Sequence, residues 1–168
     1  MTPTPLPIAR WIDSVVKATE EVATVSLGCA SLRRLDRDPT PAAPYGAYLP
    51  IIADLEKLHL GLLLSEAGSR TLTRSLLGME PDEEGPTLED VADAVGEIVN
   101  IFAGVMQRDL VGEVNSFELG LPIFVNGEIV QHQSLSSVRI NVGFDDTPAQ
   151  LVVLGRHLNP SSGVDNGS

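Results

Sequence analysis

Apolar residues Ile8, Trp11, Ile12, Val15, Val16 and Val22 recur at helical spacing and predict an amphipathic helix over residues 8–23. Gly28 breaks that pattern, and residues 33–44, polar and carrying Pro39, Pro41 and Pro44, read as a loop or a poorly ordered excursion. The pattern then changes: residues 48–52 and 58–64 are apolar runs of strand length, separated by a turn near 54–57. Ser65 is placed to cap a short helix bearing Leu72, Leu76 and Leu77, which Gly78 ends.

Residues 79–86 form an acidic loop containing Asp82, Glu83 and Glu84. Thr87-Leu88-Glu89-Asp90 fits the capping-box pattern and opens the longest expected helix, 88–109. Strands are expected at 116–125 and 128–133, joined by the hairpin signal Asn126-Gly127, and at 138–144 and 150–154 across a turn at 145–148. Sequential strands on short turns pair antiparallel. With helices placed among them the class is α+β, a mainly antiparallel sheet with long helices packed on it. Residues 1–158 read as one domain, and 159–168 as a disordered tail of Ser, Gly, Pro and Asp. A two-fold duplication of a helix-plus-strands unit is conceivable, but no repeat is provable from one sequence.

On a wheel of roughly 100° per residue, Val91, Val95, Ile98, Val99, Phe102, Val105 and Met106 share one face of the long helix, which must be the buried one. Asp93, Glu97, Asn100, Gly104, Gln107 and Arg108 occupy the opposite face. Glu97 and Asn100, three apart, emerge side by side. Gly96 and Gly104 stand one turn before and after Asn100, each costing about 1 kcal/mol in a helix. They are expected to bare the helix on both sides of the carboxamide and let another backbone approach. A glutamate and an asparagine at this spacing are also ordinary on a solvated helix face, so spacing alone leaves both readings open.

Composition narrows the function. The formal charge of −12 repels polyanions at long range, so nucleic acid and anionic membrane are disfavoured partners. The single cysteine, Cys29, allows no internal disulfide and reads as a packed thiol in a reduced, cytoplasmic setting. The N-terminus has no signal-peptide pattern, and no apolar run approaches the roughly 20 residues of a membrane helix. His59, His132 and His157 lie in different elements without ligand spacing, so no metal site of the chain's own is expected. Phosphate-loop and nucleophile-elbow motifs are absent.

The segment 93–104, with Asp93, Glu97 and Asn100 in an acid–x3–Glu–x2–Asn pattern, resembles the signature helix of the CheC/CheX/FliY phosphatases. Leu119-Gly120-Leu121-Pro122 and Val125-Asn126-Gly127-Glu128 resemble that family's strand–Pro–strand–Gly segment, and the likeness spans about 48–154. Residues 13–20 carry Lys17 where two-site members have a glutamate, and no asparagine, so the chain is similar to the single-site CheX branch.

The resemblance implies a CheC-like fold, a homodimer formed through the sheet, and hydrolysis of the aspartyl phosphate of a CheY-type response regulator. It implies that Asn100 positions the attacking water and Glu97 docks the regulator; Gly96, Gly104 and Gln107, on the same helix, are expected to contact the partner, and Asp93 either joins them or forms a salt bridge along the helix face. No cofactor of its own is implied, since Mg²⁺ would sit on the regulator. The alternative is a non-catalytic adaptor or flagellar-switch module that binds phosphorylated regulators.

Overall fold

The structure, a computed structural model, describes residues 4–128, 130, 133–156 and 158. Helix α1 (Ile8–Glu21) continues into a π-helical turn, Val22–Ser26. Strand β1 (Leu32–Arg34) follows, then the hairpin β2 (Tyr45–Ala53) and β3 (Glu56–Leu64), and helix α2 (Glu66–Leu77). Helix α3 (Leu88–Asp109) leads to β4 (Phe117–Leu119), β5 (Ile123–Asn126) and the hairpin β6 (Ser136–Phe144) and β7 (Thr147–Gly155).

All strand pairings are antiparallel, in the order β1-β6-β7-β3-β2-β4, with β5 also paired to β2. That order has a two-fold logic. Each helix, α1 or α3, is followed by a short strand that pairs with the hairpin of the other half. The duplication suspected from sequence is visible as topology.

Side chains alternate across the sheet. Ala47, Leu49, Ile51, Leu58, Leu60, Leu62, Leu64, Ile140, Val142, Ala149, Leu151 and Val153 bury one face against the helices, where Trp11, Val15, Val95, Ile98, Val99, Phe102 and Met106 meet them. α3 packs against β2 and β3 and touches both α1 and α2.

Helix ends follow local chemistry. The Ser65 hydroxyl accepts from the Gly68 N–H at 2.9 Å, and Gly78 ends α2 in the left-handed region at φ 63°. Thr87 and Asp90 form the expected capping box, each side chain accepting from the other's backbone N–H.

Three expectations need correction. Residues 33–44 form the expected loop only from Leu35 on, since Arg33 and Arg34 belong to β1. The Leu35 N–H donates to the Asn141 carbonyl at 2.9 Å, and Asp38 sits by the buried Gln150, which also accepts from Arg139 and donates to Asn141. Second, 116–125 is not one continuous strand. Leu119 pairs with Ile51 and Ile123 with Tyr48, so Gly120, Leu121 and Pro122 face only Leu49 and Pro50. This is a β-bulge, placed where Pro50 and Pro122 supply no N–H to a ladder. Third, no strand follows Asn126-Gly127 among the described residues, where β5 pairs with β2 and the Gly127 N–H donates to the Pro44 carbonyl. The strand expected at 128–133 lies partly outside the described residues; Glu128 and Val130 belong to no strand and Gln133 sits in a turn. The expected tail, 159–168, lies outside them too.

Candidate active site

α3 carries the candidate residues because its apolar stripe fixes its rotation. Val91, Val95, Ile98, Val99, Phe102, Val105 and Met106 are all buried, as the wheel requires. Asp93, Glu97 and Gln107 are exposed, and Asn100 and Gly104 are half-buried. Among the described residues, neither the Glu97 carboxylate nor the Asn100 carboxamide has an internal hydrogen bond or ion pair. Two charged groups at the far end of α3 are taken: Arg108 pairs with Glu21, and Asp109 accepts from Arg10 and Lys17. Lys17 and Arg10 hold the Asp109 carboxyl down at about 2, Lys17 contributing most.

The two glycines differ. A β-carbon at Gly104 would meet nothing within 4 Å, so the helix is bare there. Gly96 is buried, and its β-carbon would stand 3.4 Å from the Pro122 ring. The expectation that Gly96 exposes the helix to a visitor is therefore corrected: the chain's own bulge covers it. Gln107 is also committed, since its Nε2 donates to the Phe117 carbonyl at 2.9 Å and ties α3 to β4. The wheel could not show either contact, because both come from residues far along the chain. What sequence reasoning missed is the bulge itself, signalled only by the Gly-Leu-Pro run.

The carboxamide thus stands between two different borders, the 120–122 bulge on one side and open helix on the other. Such a group can accept a hydrogen bond from water and donate another nearby without bringing charge. No second site faces it from α1, where Lys17 is bound to Asp109 and no asparagine is present. Cys29 is half-buried beside Asp145, and burial pushes its thiol above the ordinary value, away from a nucleophilic thiolate. His59 lies on β3, while His132 and His157 fall outside the described residues. Among the described residues no group of three or more His, Cys, Asp or Glu could hold a metal ion, and no helix is long and apolar enough to cross a membrane.

Residues 47–145 match the family model described as chemotaxis phosphatase CheX, a span that includes most of β2 and all of β3, α2, α3 and the bulge. The chain belongs to the CheX family. Its fold agrees with that of other CheX proteins: chemotaxis protein CheX from Vibrio vulnificus superposes with a TM-score of 0.71 at 18% identity, over 89% of this chain and 98% of that one. CheX in the CheX–CheY–BeF3–Mg complex from Borrelia burgdorferi gives 0.67 at 17% identity, over 86% and 96%. The middle domain of FliM from H. pylori shares the fold at 0.57 and 8% identity, over 89% and 91%. No curated protein matches in sequence. Membership in CheX makes the chain one of a family of chemotaxis phosphatases, with α3 inside the matched region.

Proposed function

We propose that this CheX-family protein hydrolyses the aspartyl phosphate of a CheY-type response regulator. An acyl phosphate is already activated, so the catalyst's task is to hold a water in line with the P–O bond while charge on the phosphoryl oxygens is neutralised. The Asn100 carboxamide oxygen accepts a hydrogen bond from that water and aims its lone pair at phosphorus. The phosphorus–oxygen bond to the aspartate breaks with its electron pair left on the carboxylate, a water proton passes to solvent, and orthophosphate leaves. The carboxylate leaving group needs no proton, so Glu97 acts by docking and orienting the regulator rather than as a base. Asp93 and the open surface at Gly104 border the contact. Mg²⁺ belongs to the regulator's own phosphorylation site.

The observation that carries this reading is the unpartnered Asn100 carboxamide, half-exposed one turn from an unpaired Glu97, on the helix of a CheX-family chain. A homodimer formed through the sheet is part of the same reading and is tested by sedimentation. The deciding experiment is phosphate release from a phosphorylated CheY-type regulator. Wild type shortens the phosphate's lifetime and Asn100→Ala does not; equal lifetimes for the two proteins refute the mechanism. The fold shared with a FliM middle domain keeps one other reading in view, a non-catalytic module that binds the phosphorylated regulator and leaves its phosphate lifetime unchanged.

A further inference from the structure

Leu121 is 83% exposed. A single exposed leucine is ordinary on a protein surface; what distinguishes this one is how it is held. It sits at the tip of the bulge between β4 and β5. On one side the Gly120 N–H donates to the Pro50 carbonyl at 2.8 Å, and Gly120 lies so tight on the Pro50 ring that a β-carbon would fall 2.6 Å from it. On the other side Pro122 packs over Gly96. The Gln107 bond to Phe117 pins the strand that leads into the tip. An apolar side chain is thus presented to solvent from a pinned, proline-flanked base, with little backbone freedom left to lose on binding.

Its place matters as much as its rigidity. Gly96 is adjacent to Glu97 and, at 1.5 Å of rise per residue, about 6 Å along the axis from Asn100. A stable protein contact covers about 800 Å² per partner, a disc of roughly 16 Å radius. A footprint of that size centred on Asn100 reaches Pro122, which lies over Gly96, and extends toward the leucine beside it. Other exposed apolar side chains, such as Val25, Leu55 and Val111, sit on α1's extension, the β2–β3 turn and the far end of α3. Ile123, 64% exposed, is the exception, since it follows Pro122 directly on β5.

We propose that Leu121 is the apolar docking residue for the phosphorylated regulator, a specificity determinant that acts on binding and not on the chemical step. The proposal rests on the phosphatase reading for its partner, but its test separates the two. Leu121→Glu places a charge at the contact, and Leu121→Ala removes the apolar contact without a charge. Leu55→Glu, at a turn position 76% exposed, is the matched control.

Three quantities are measured with the CheY-type regulator of the same organism: KM and kcat for phosphate release, and Kd for the beryllofluoride-activated regulator. The expected result is a KM and Kd raised at least tenfold by Leu121→Glu and several-fold by Leu121→Ala, with kcat within twofold of wild type and Leu55→Glu unchanged. Thermal melts confirm that all variants are folded. Unchanged Kd in both Leu121 variants overturns the docking role, as does a fall in kcat with KM unaltered. A wild type that binds the activated regulator without hydrolysing it refutes the phosphatase reading alone, and Kd then still decides Leu121. A wild type that binds no regulator removes both.

Discussion

Asp54 and Asp145 occupy equivalent places in the two halves of the sheet. Each opens a two-residue turn, between β2 and β3 or between β6 and β7, with φ of 50° and 51°. Each carboxylate accepts backbone N–H groups just ahead of an edge strand: Asp54 from Asn115 and Ser116 before β4, Asp145 from Ala30 and Ser31 before β1. These bonds hold both carboxyls below the ordinary aspartate value, those from Asn115 and from Ser31 contributing most.

Asparagine tolerates the left-handed region and keeps one acceptor oxygen, whereas alanine is strained there and keeps none. Asp54→Ala is expected to lower Tm by more than Asp54→Asn, and the same ordering is expected at Asp145. Calorimetry of the four variants checks it, and an unchanged Tm in the Ala variants would assign the carboxylates no anchoring role.

Acid should loosen the junction of α1 with α3. Asp109, near 2 in the folded protein against an ordinary value of 3.8, is stabilised as its anion by Lys17 and Arg10. A depressed folded value contributes stability fully above about pH 4. That contribution is lost as pH falls toward 2. Asp109→Asn is expected to cost about 1–2 kcal/mol at neutral pH. The variant's urea midpoint should then fall less steeply than that of wild type between pH 4 and 2.

Gly104 and Gly96 separate stability from activity. Replacing Gly104 with alanine gains up to about 1 kcal/mol of helix propensity, because its surroundings are open. If a regulator backbone must pass there, Gly104→Ala raises Tm and lowers kcat/KM together. Gly96→Ala meets Pro122 at ordinary contact distance and is expected to leave activity intact. Gly96→Leu must displace the bulge, and is expected to lower both stability and affinity for the regulator.

At the site itself, Asn100→Ala is expected to cut kcat/KM by about 10²-fold or more through loss of water positioning. Glu97→Gln should act mainly on KM. A pH-rate profile checks the assignment, since a docking carboxylate leaves kcat flat where a general base would not.

The sequence made α3 legible to the residue because three independent signals agreed there: the capping box at Thr87–Asp90, an apolar stripe of constant period, and the loss of that period after Asp109. The hairpins β2–β3 and β6–β7 were readable from apolar runs and turn residues, with strand ends placed up to three residues short. β1 was not, since Leu32-Arg33-Arg34 has no pattern of its own and becomes a strand only because β6 offers it an edge. Asn126-Gly127 misled in another way: among the described residues no strand follows it, and β5 takes its ladder from β2, a partner far away in the chain. Within the site, helical periodicity gave the facing of Glu97 and Asn100, and the family model containing them supports the resemblance drawn from residues 93–104. It could not give the covering of Gly96 or the tether on Gln107, which depend on where a bulge some 20 residues downstream comes to rest.

The interleaved order of the strands has a consequence for biosynthesis. β1 leaves the ribosome early but finds its neighbour only in β6, more than 100 residues later, and β3 waits 85 to 97 residues for β7. A nascent chain carrying α3 and the first hairpin therefore holds two unsatisfied strand edges until the final hairpin slides between them. Such long-range pairing makes for slow folding and a window of exposure to aggregation. Truncations that remove β6 and β7 should consequently be insoluble, even though they retain every residue of the candidate site.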